Sequence, residues 1–260
     1  GHRIWAKAYS GNLKLDPKKT NALFKEALAK YTKPRQTEAW EEFWNIANAV
    51  ARAKNIGYVP DGVFPQAKRL VTREQFHESL DEDPSAFVAD LIDQTLTASI
   101  KAAYQGFIDF NDQIYMPTLF GGTFPRFPLV LVDEAQDLSP CNHAMLDKLA
   151  RGRLISVGDH WQSIYGFRGA KQGGMQKQRT QFEMTQLDLS VSFRCPQKVV
   201  ENVRWHVPHF KWTKPGGTVL ALEGLNTVAI DDGAAILCRN NAPLFRLAFQ
   251  LLAARRSVSV

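Results

Sequence analysis

The chain has 260 residues, 45% of them hydrophobic, which is enough apolar material for one large domain or two modest ones. Its formal net charge of +6 favours a polyanionic partner. Three widely separated cysteines (Cys141, Cys195, Cys238) exclude a readable disulfide framework or metal-ligand set, and there is neither a signal peptide nor an apolar run of bilayer length, so a reducing cytoplasm is the expected compartment.

In chain order, the first hundred residues read as helical. Asp16-Pro17 offers an N-cap followed by a first-turn proline, after which Leu23, Phe24, Ala27, Leu28 and Tyr31 recur at helical spacing. Trp40, Phe43, Trp44, Ala47 and Val50 form a second apolar stripe, ended near Gly57. Beyond the acidic stretch "ESLDEDPS", Val88, Leu91, Ile92, Leu96, Ile100 and Tyr104 mark a third helix. These stripes are expected to be core, and no chemistry is assigned to them.

From Phe127 onward the pattern alternates between strands and helices, as βαβ units and a parallel sheet require. Residues 129–132 ("LVLV") read as a buried strand, and Ser139-Pro140 then caps a helix through Leu149. "RLISVGD" is a second strand and "LDLSVSFR" a third, followed by a helix opened by Pro196. "TVLAL" and "AAILCR" read as two more strands, with a helix over 243–254. Between them, "RGAKQGGMQKQRTQF" reads as a linker between lobes or as a surface loop.

Three polar clusters follow strands. The first is Asp133, Glu134 and Asp137, at the edge where open α/β sheets bind ligands. Adjacent carboxylates there suit magnesium held jointly with phosphates and water, and the alternative is a helix cap with a chance neighbour. The second, "ISVGDHWQSIYGFRGA", offers Gln162 to sense a terminal phosphate. It also offers Tyr165, Phe167 and Arg168, aromatics beside a cation that either stack on unpaired bases or pack in the core. The third is Phe193-Arg194, a flat ring beside a permanent cation.

In this order, the clusters resemble motifs II, III and IV of the UvrD/Rep/PcrA-type superfamily 1 DNA helicases. "VDEAQD" resembles the family's Walker B box, and "VGDHWQSIYGFRGA" its motif III. "SFRC" stands where the family usually has Asn-Tyr-Arg-Ser, and "GHRIW" resembles the end of motif Ib. The resemblance implies an α/β fold with two RecA-like parallel-sheet lobes of the P-loop NTPase type. ATP and magnesium would lie in the cleft, and single-stranded DNA, or DNA with a 3′ single-stranded tail, would be the partner. Residues 1–14 would end the motif Ib region of the first lobe and 15–106 would be a helical insertion before the Walker B strand. Residues 107–180 would complete that lobe and 181–260 would begin the second. Asp133 would organise magnesium, Glu134 would activate water, and Gln162 would contact the γ-phosphate. Phe167 would stack on a base, supported by Tyr165 and linked to the acidic motif by Arg168. Phe193 would stack on adenine and Arg194 would act as an arginine finger. Family members are ATP-dependent translocases that move 3′ to 5′.

The departures are specific. Phe193 replaces a tyrosine, and Ser192 and Cys195 replace Asn and Ser. No Gly-x-x-x-x-Gly-Lys-[Ser/Thr] occurs in the 260 residues, so the loop that cradles phosphates is missing. The expectation is therefore a central helicase fragment, inactive as an ATPase alone. A short single-stranded DNA-binding module that does not hydrolyse ATP is the alternative. His206 and His209 flank Pro208 with no completing ligand, and no metal is assigned to them.

Overall fold

The computed structural model describes residues 1–9, 11–163, 174–221, 230, 233–238 and 240–259. The chain divides into two compact units, Gly1–Asp188 and Leu189–Val260. It is a mixed α/β chain whose short sheets are all parallel among the described residues.

In the first unit, α1 (His2–Tyr9) leads to β1 (Lys14–Leu15), which pairs in parallel with β2 (Phe107–Ile108). Between these strands run α2 (Lys19–Leu28), α3 (Lys33–Glu41), α4 (Phe43–Ile56), α5 (Arg73–His77) and α6 (Ala86–Tyr104). The stripe on α6 is core as expected: Leu91, Ile92, Leu96 and Ile100 are buried, and each contributes roughly 1.5–3 kcal/mol by leaving water. Ser85 caps that helix by accepting the Val88 N–H at 3.3 Å. The second stripe departs from expectation. It breaks at Glu42, whose ψ of 4° leaves the helical range, and Trp40 and Trp44 remain 46% and 71% exposed. Val50 is buried as expected, and Ile46, Ala49 and Ala53 complete the core face of α4. Gly57 ends α4 with φ at +82°, a left-handed conformation that favours glycine after a helix.

The helical core also encloses charge. Lys54, 1% exposed, donates to Asp109 at 2.5 Å and to Ser99 at 2.8 Å and pairs with Asp112 at 2.7 Å, while Lys19 donates to Asp112 at 2.5 Å. Asp109 and Asp112 each accept the other's backbone N–H, which shapes the start of α7 (Asp112–Leu119). Two cations thus face two carboxylates, as buried charge requires.

Next comes a βαβ unit: β3 (Phe127–Val132), α8 (Pro140–Leu149) and β4 (Ala150–Ser156). The strands pair in parallel, with Leu129 opposite Arg153 and Val132 opposite Ser156. Cys141 of α8 joins the helical core, and Leu146 is buried as well. Residues 129–132 were expected to be buried, yet Leu129 and Leu131 are exposed, because nothing among the described residues of this unit covers that face. Within the expected linker or loop, Gly174–Gln181 forms a helix, α9, that packs against the turn after β3.

In the second unit, β5 (Val191–Pro196) pairs in parallel with β6 (Lys211–Lys214), and α10 (Gln197–Val203) lies between them in sequence with Val200 buried. The third strand was expected over 187–194 and starts later, while β6 was not anticipated. Residues 218–221 and 234–238, expected as strands, pair with nothing in the described sheets. Strand propensity forms no ladder without a partner at hand. The final helix, α11 (Asn241–Ala253), follows the expected pattern. Among the described residues, no helix is long and apolar enough to cross a membrane.

Candidate active site

Because β3 and β4 run in parallel, their carboxyl ends share one edge. The Val157 N–H donates to Val132 O at 2.8 Å, and the Ala135 N–H donates to Val157 O at 3.0 Å. The chain leaving β3 delivers Asp133 and Glu134 to this edge, both exposed, and the chain leaving β4 delivers Gly158, Asp159 and Gln162. Glu134 adopts φ +51° and ψ +43°, a left-handed conformation that costs a residue with a Cβ about 1–2 kcal/mol. Its N–H donates to Asp133 Oδ1 at 2.9 Å.

Gln136 links the two turns. It is 4% exposed, its Nε2 donates to Glu134 Oε2 at 2.6 Å, and its Oε1 accepts the Asp159 N–H at 3.0 Å. A carboxylate on one side and an N–H on the other need a donor and an acceptor, which an amide side chain supplies together. Asp159 in turn accepts the Trp161 N–H at 2.9 Å and Gln162 Nε2 at 2.8 Å. A Cβ on Gly158 would lie 2.6 Å from Gln136 Oε1 and 3.0 Å from the Ala135 nitrogen, so glycine clears the approach. Asp133, Glu134 and Gln162 therefore belong to one hydrogen-bonded chain. Gln136 was not anticipated as a site residue, although it lies in "VDEAQD" two residues after Glu134. The signal was a polar side chain directed inward by a tight turn, which spacing alone does not announce.

The remaining candidates fall on other segments of the chain. Phe193 and Arg194 belong to the second unit, within β5, where the pairing register shifts between Ser192 and Pro196. Such irregularities re-aim side chains, and Phe193 is 80% exposed. Ser192 Oγ accepts the Cys195 N–H at 2.9 Å, so this hydroxyl shapes the local backbone. Tyr165, Phe167 and Arg168 lie outside the described residues.

Among the described residues, no three His, Cys, Asp or Glu side chains form a protein-only metal cage. Asp133 and Glu134 are instead the kind of donor set magnesium takes from a protein when phosphates and waters complete its shell.

Comparison with known proteins identifies the family. The family model for the UvrD/REP helicase N-terminal domain matches residues 5–183, well over half of the chain. The chain belongs to the UvrD/REP helicase family. Individual relatives match over shorter stretches. F-box DNA helicase protein 1 of Schizosaccharomyces pombe is 28% identical over 144 residues, covering 48% of this chain and 16% of the relative. DNA helicase II of Haemophilus influenzae is 34% identical over 79 residues, covering 30% and 11%. DNA helicase IV of Escherichia coli is 36% identical over 102 residues, covering 36% and 15%. The chain thus spans less than a fifth of the length of these relatives.

Proposed function

We propose that this chain carries the metal- and water-binding face of an ATP site in a protein that couples ATP hydrolysis to 3′-to-5′ movement along single-stranded DNA. One observation carries the reading: Asp133, Glu134 and Gln162 are joined by hydrogen bonds at the shared carboxyl edge of two parallel strands. In this reading Asp133 holds magnesium, Glu134 accepts a proton from the attacking water, and Gln162 contacts the terminal phosphate. The metal supplies charge neutralisation on the phosphates. Phe193 stacks on the base of the nucleotide and Arg194 stabilises charge on the phosphoryl group being transferred. Tyr165, Phe167 and Arg168 face single-stranded DNA, and the names of the helicase relatives support DNA as the polymer.

The same reading makes 107–180 part of a RecA-like lobe, 15–106 a helical insertion into it, and 181–260 the start of a second lobe. Two features support it. Paired strands β1 and β2 bracket the helical stretch. Phe127, Leu129 and Leu131 of β3 and Ile155 of β4 are exposed, whereas parallel sheets are normally covered on both faces. We propose that further strands, with crossover helices that cover its face, complete that sheet from outside these 260 residues and that a phosphate-cradling loop comes with them. The 260 residues alone then bind DNA without turning over ATP.

The test compares ATP turnover, with and without oligo-dT, by the 260-residue chain and by the longest product of its reading frame. The expected results are no turnover by the former and DNA-stimulated turnover by the latter. Glu134→Gln should then reduce that turnover by on the order of 10²-fold or more. Turnover that survives Glu134→Gln overturns the assignment. The absence of a P-loop from the 260 residues favours a second reading, a DNA-binding module without hydrolysis. Oligo-dT binding by a longest product that lacks a P-loop and shows no turnover would establish that reading instead.

A further inference from the structure

We propose that Gln136 is a positioning residue that couples the carboxylate of Glu134 to the loop carrying Gln162, so that displacement of that loop changes how Glu134 is held. The proposal rests on the reading of Glu134 as the group that activates water.

The geometry is a link with two arms. One arm is the 2.6 Å bond from Gln136 Nε2 to Glu134 Oε2, and the other is the 3.0 Å bond from the Asp159 N–H to Gln136 Oε1. Between these bonds the side chain is buried, so swinging to a new partner would strand a polar group away from water. Asp159 carries the link onward, because its carboxylate holds Gln162 Nε2 and its neighbour Gly158 has no side chain to wedge the turns apart. A shift of the Asp159 backbone therefore either breaks the second arm or drags the amide and disturbs the first. Here each arm ends on a group tied to a different proposed contact: water for Glu134, phosphate for Gln162.

Two variants separate the arms in the full-length protein. Gln136→Glu keeps an oxygen for the Asp159 N–H but sets a second carboxylate against Glu134, and carboxylates this close cannot both ionise. Turnover at pH 7 should fall at least tenfold, and the acid limb of the rate profile should move up by about one pH unit or more. Amide hydrogen exchange over residues 157–163 should stay as in the unaltered protein. Gln136→Leu removes both arms. Exchange over 157–163 should accelerate at least tenfold, and turnover with and without oligo-dT should converge.

An unshifted pH profile in Gln136→Glu overturns the proposal, as does unchanged exchange or undiminished DNA stimulation in Gln136→Leu. Failure of the underlying reading looks different. It is seen in the unaltered protein as absent turnover, or in Glu134→Gln as retained turnover, and the coupling then falls with it. The exchange measurement reads the Asp159 arm without any turnover.

Discussion

At the scale of single residues, the most consequential groups are charges placed where water is absent. Burial opposes ionisation of Asp109, but the neighbouring Lys54 ammonium outweighs it and holds the carboxyl below the ordinary carboxylate range. Burial likewise opposes the Lys54 charge, and Asp112 and Asp109 together raise its pKa above the ordinary lysine value. A carboxyl whose pKa is depressed by folding contributes stability above its unfolded value, near 4, and loses that contribution as pH falls through its folded value. Asp109→Asn should therefore destabilise the chain at pH 7, by about 3 kcal/mol if one buried pair is broken. The gap from the unaltered chain should narrow steadily below pH 4. Chemical denaturation of both chains across pH 2–7 measures this, and a gap independent of pH would refute it. None of this cluster was legible in the sequence. Lys19 and Asp112 stand 93 residues apart and Lys54 and Asp109 stand 55 apart, so only the packing of α2, α4 and α7 makes them neighbours. Gln136 was opaque for the same reason, since the turn it holds lies 23 residues away.

At the scale of elements, local chemistry was readable where it is self-contained. The run into Asp133 gave β3, and Ser139-Pro140 gave the start of α8, where Ser139 and Asn142 form a reciprocal capping box. Ser139 Oγ accepts the Asn142 N–H at 3.3 Å, and the Ser139 N–H donates to Asn142 Oδ1 at 3.1 Å. Ser139→Ala should cost about 1 kcal/mol in a thermal or denaturant melt, and Ser139→Asp should recover most of it. An alanine variant as stable as the parent would mean that the helix start is held by its packing instead. Elements that depend on distant partners were harder to read. Lys211–Lys214 reads as polar and charged yet forms β6 because Val191 and Ser192 lie alongside it. Residues 234–238 look more like a strand and form none. The same limit explains Trp40 and Trp44: their spacing fits a stripe, but the helix break at Glu42 turns a different face of α4 inward.

For the whole molecule, the uncovered apolar surface is the informative one. Leu129 and Leu131 of β3, Ile155 of β4 and Val157 just past its end are all exposed, with Leu131 at 69%. Contiguous apolar surface on a parallel pair marks a face that something else covers. If helices that cross over between further strands of the sheet cover it, the cost of a charge there depends on how much of the protein is present. In the 260-residue chain, Leu131→Lys leaves the ammonium in water and should change stability by no more than about 0.5 kcal/mol. In the longest product of the reading frame the same change buries an unpaired cation and should cost several kcal/mol. It should also lower ATP turnover, because Asp133 and Glu134 hang from the end of the same strand. The two melts, run in parallel, decide between the alternatives. A small, equal cost in both chains would show that this face stays open to solvent and that β3 belongs to no larger sheet. A large cost confined to the longer chain would place the carboxylates at the edge of a covered sheet, where the proposed chemistry needs them.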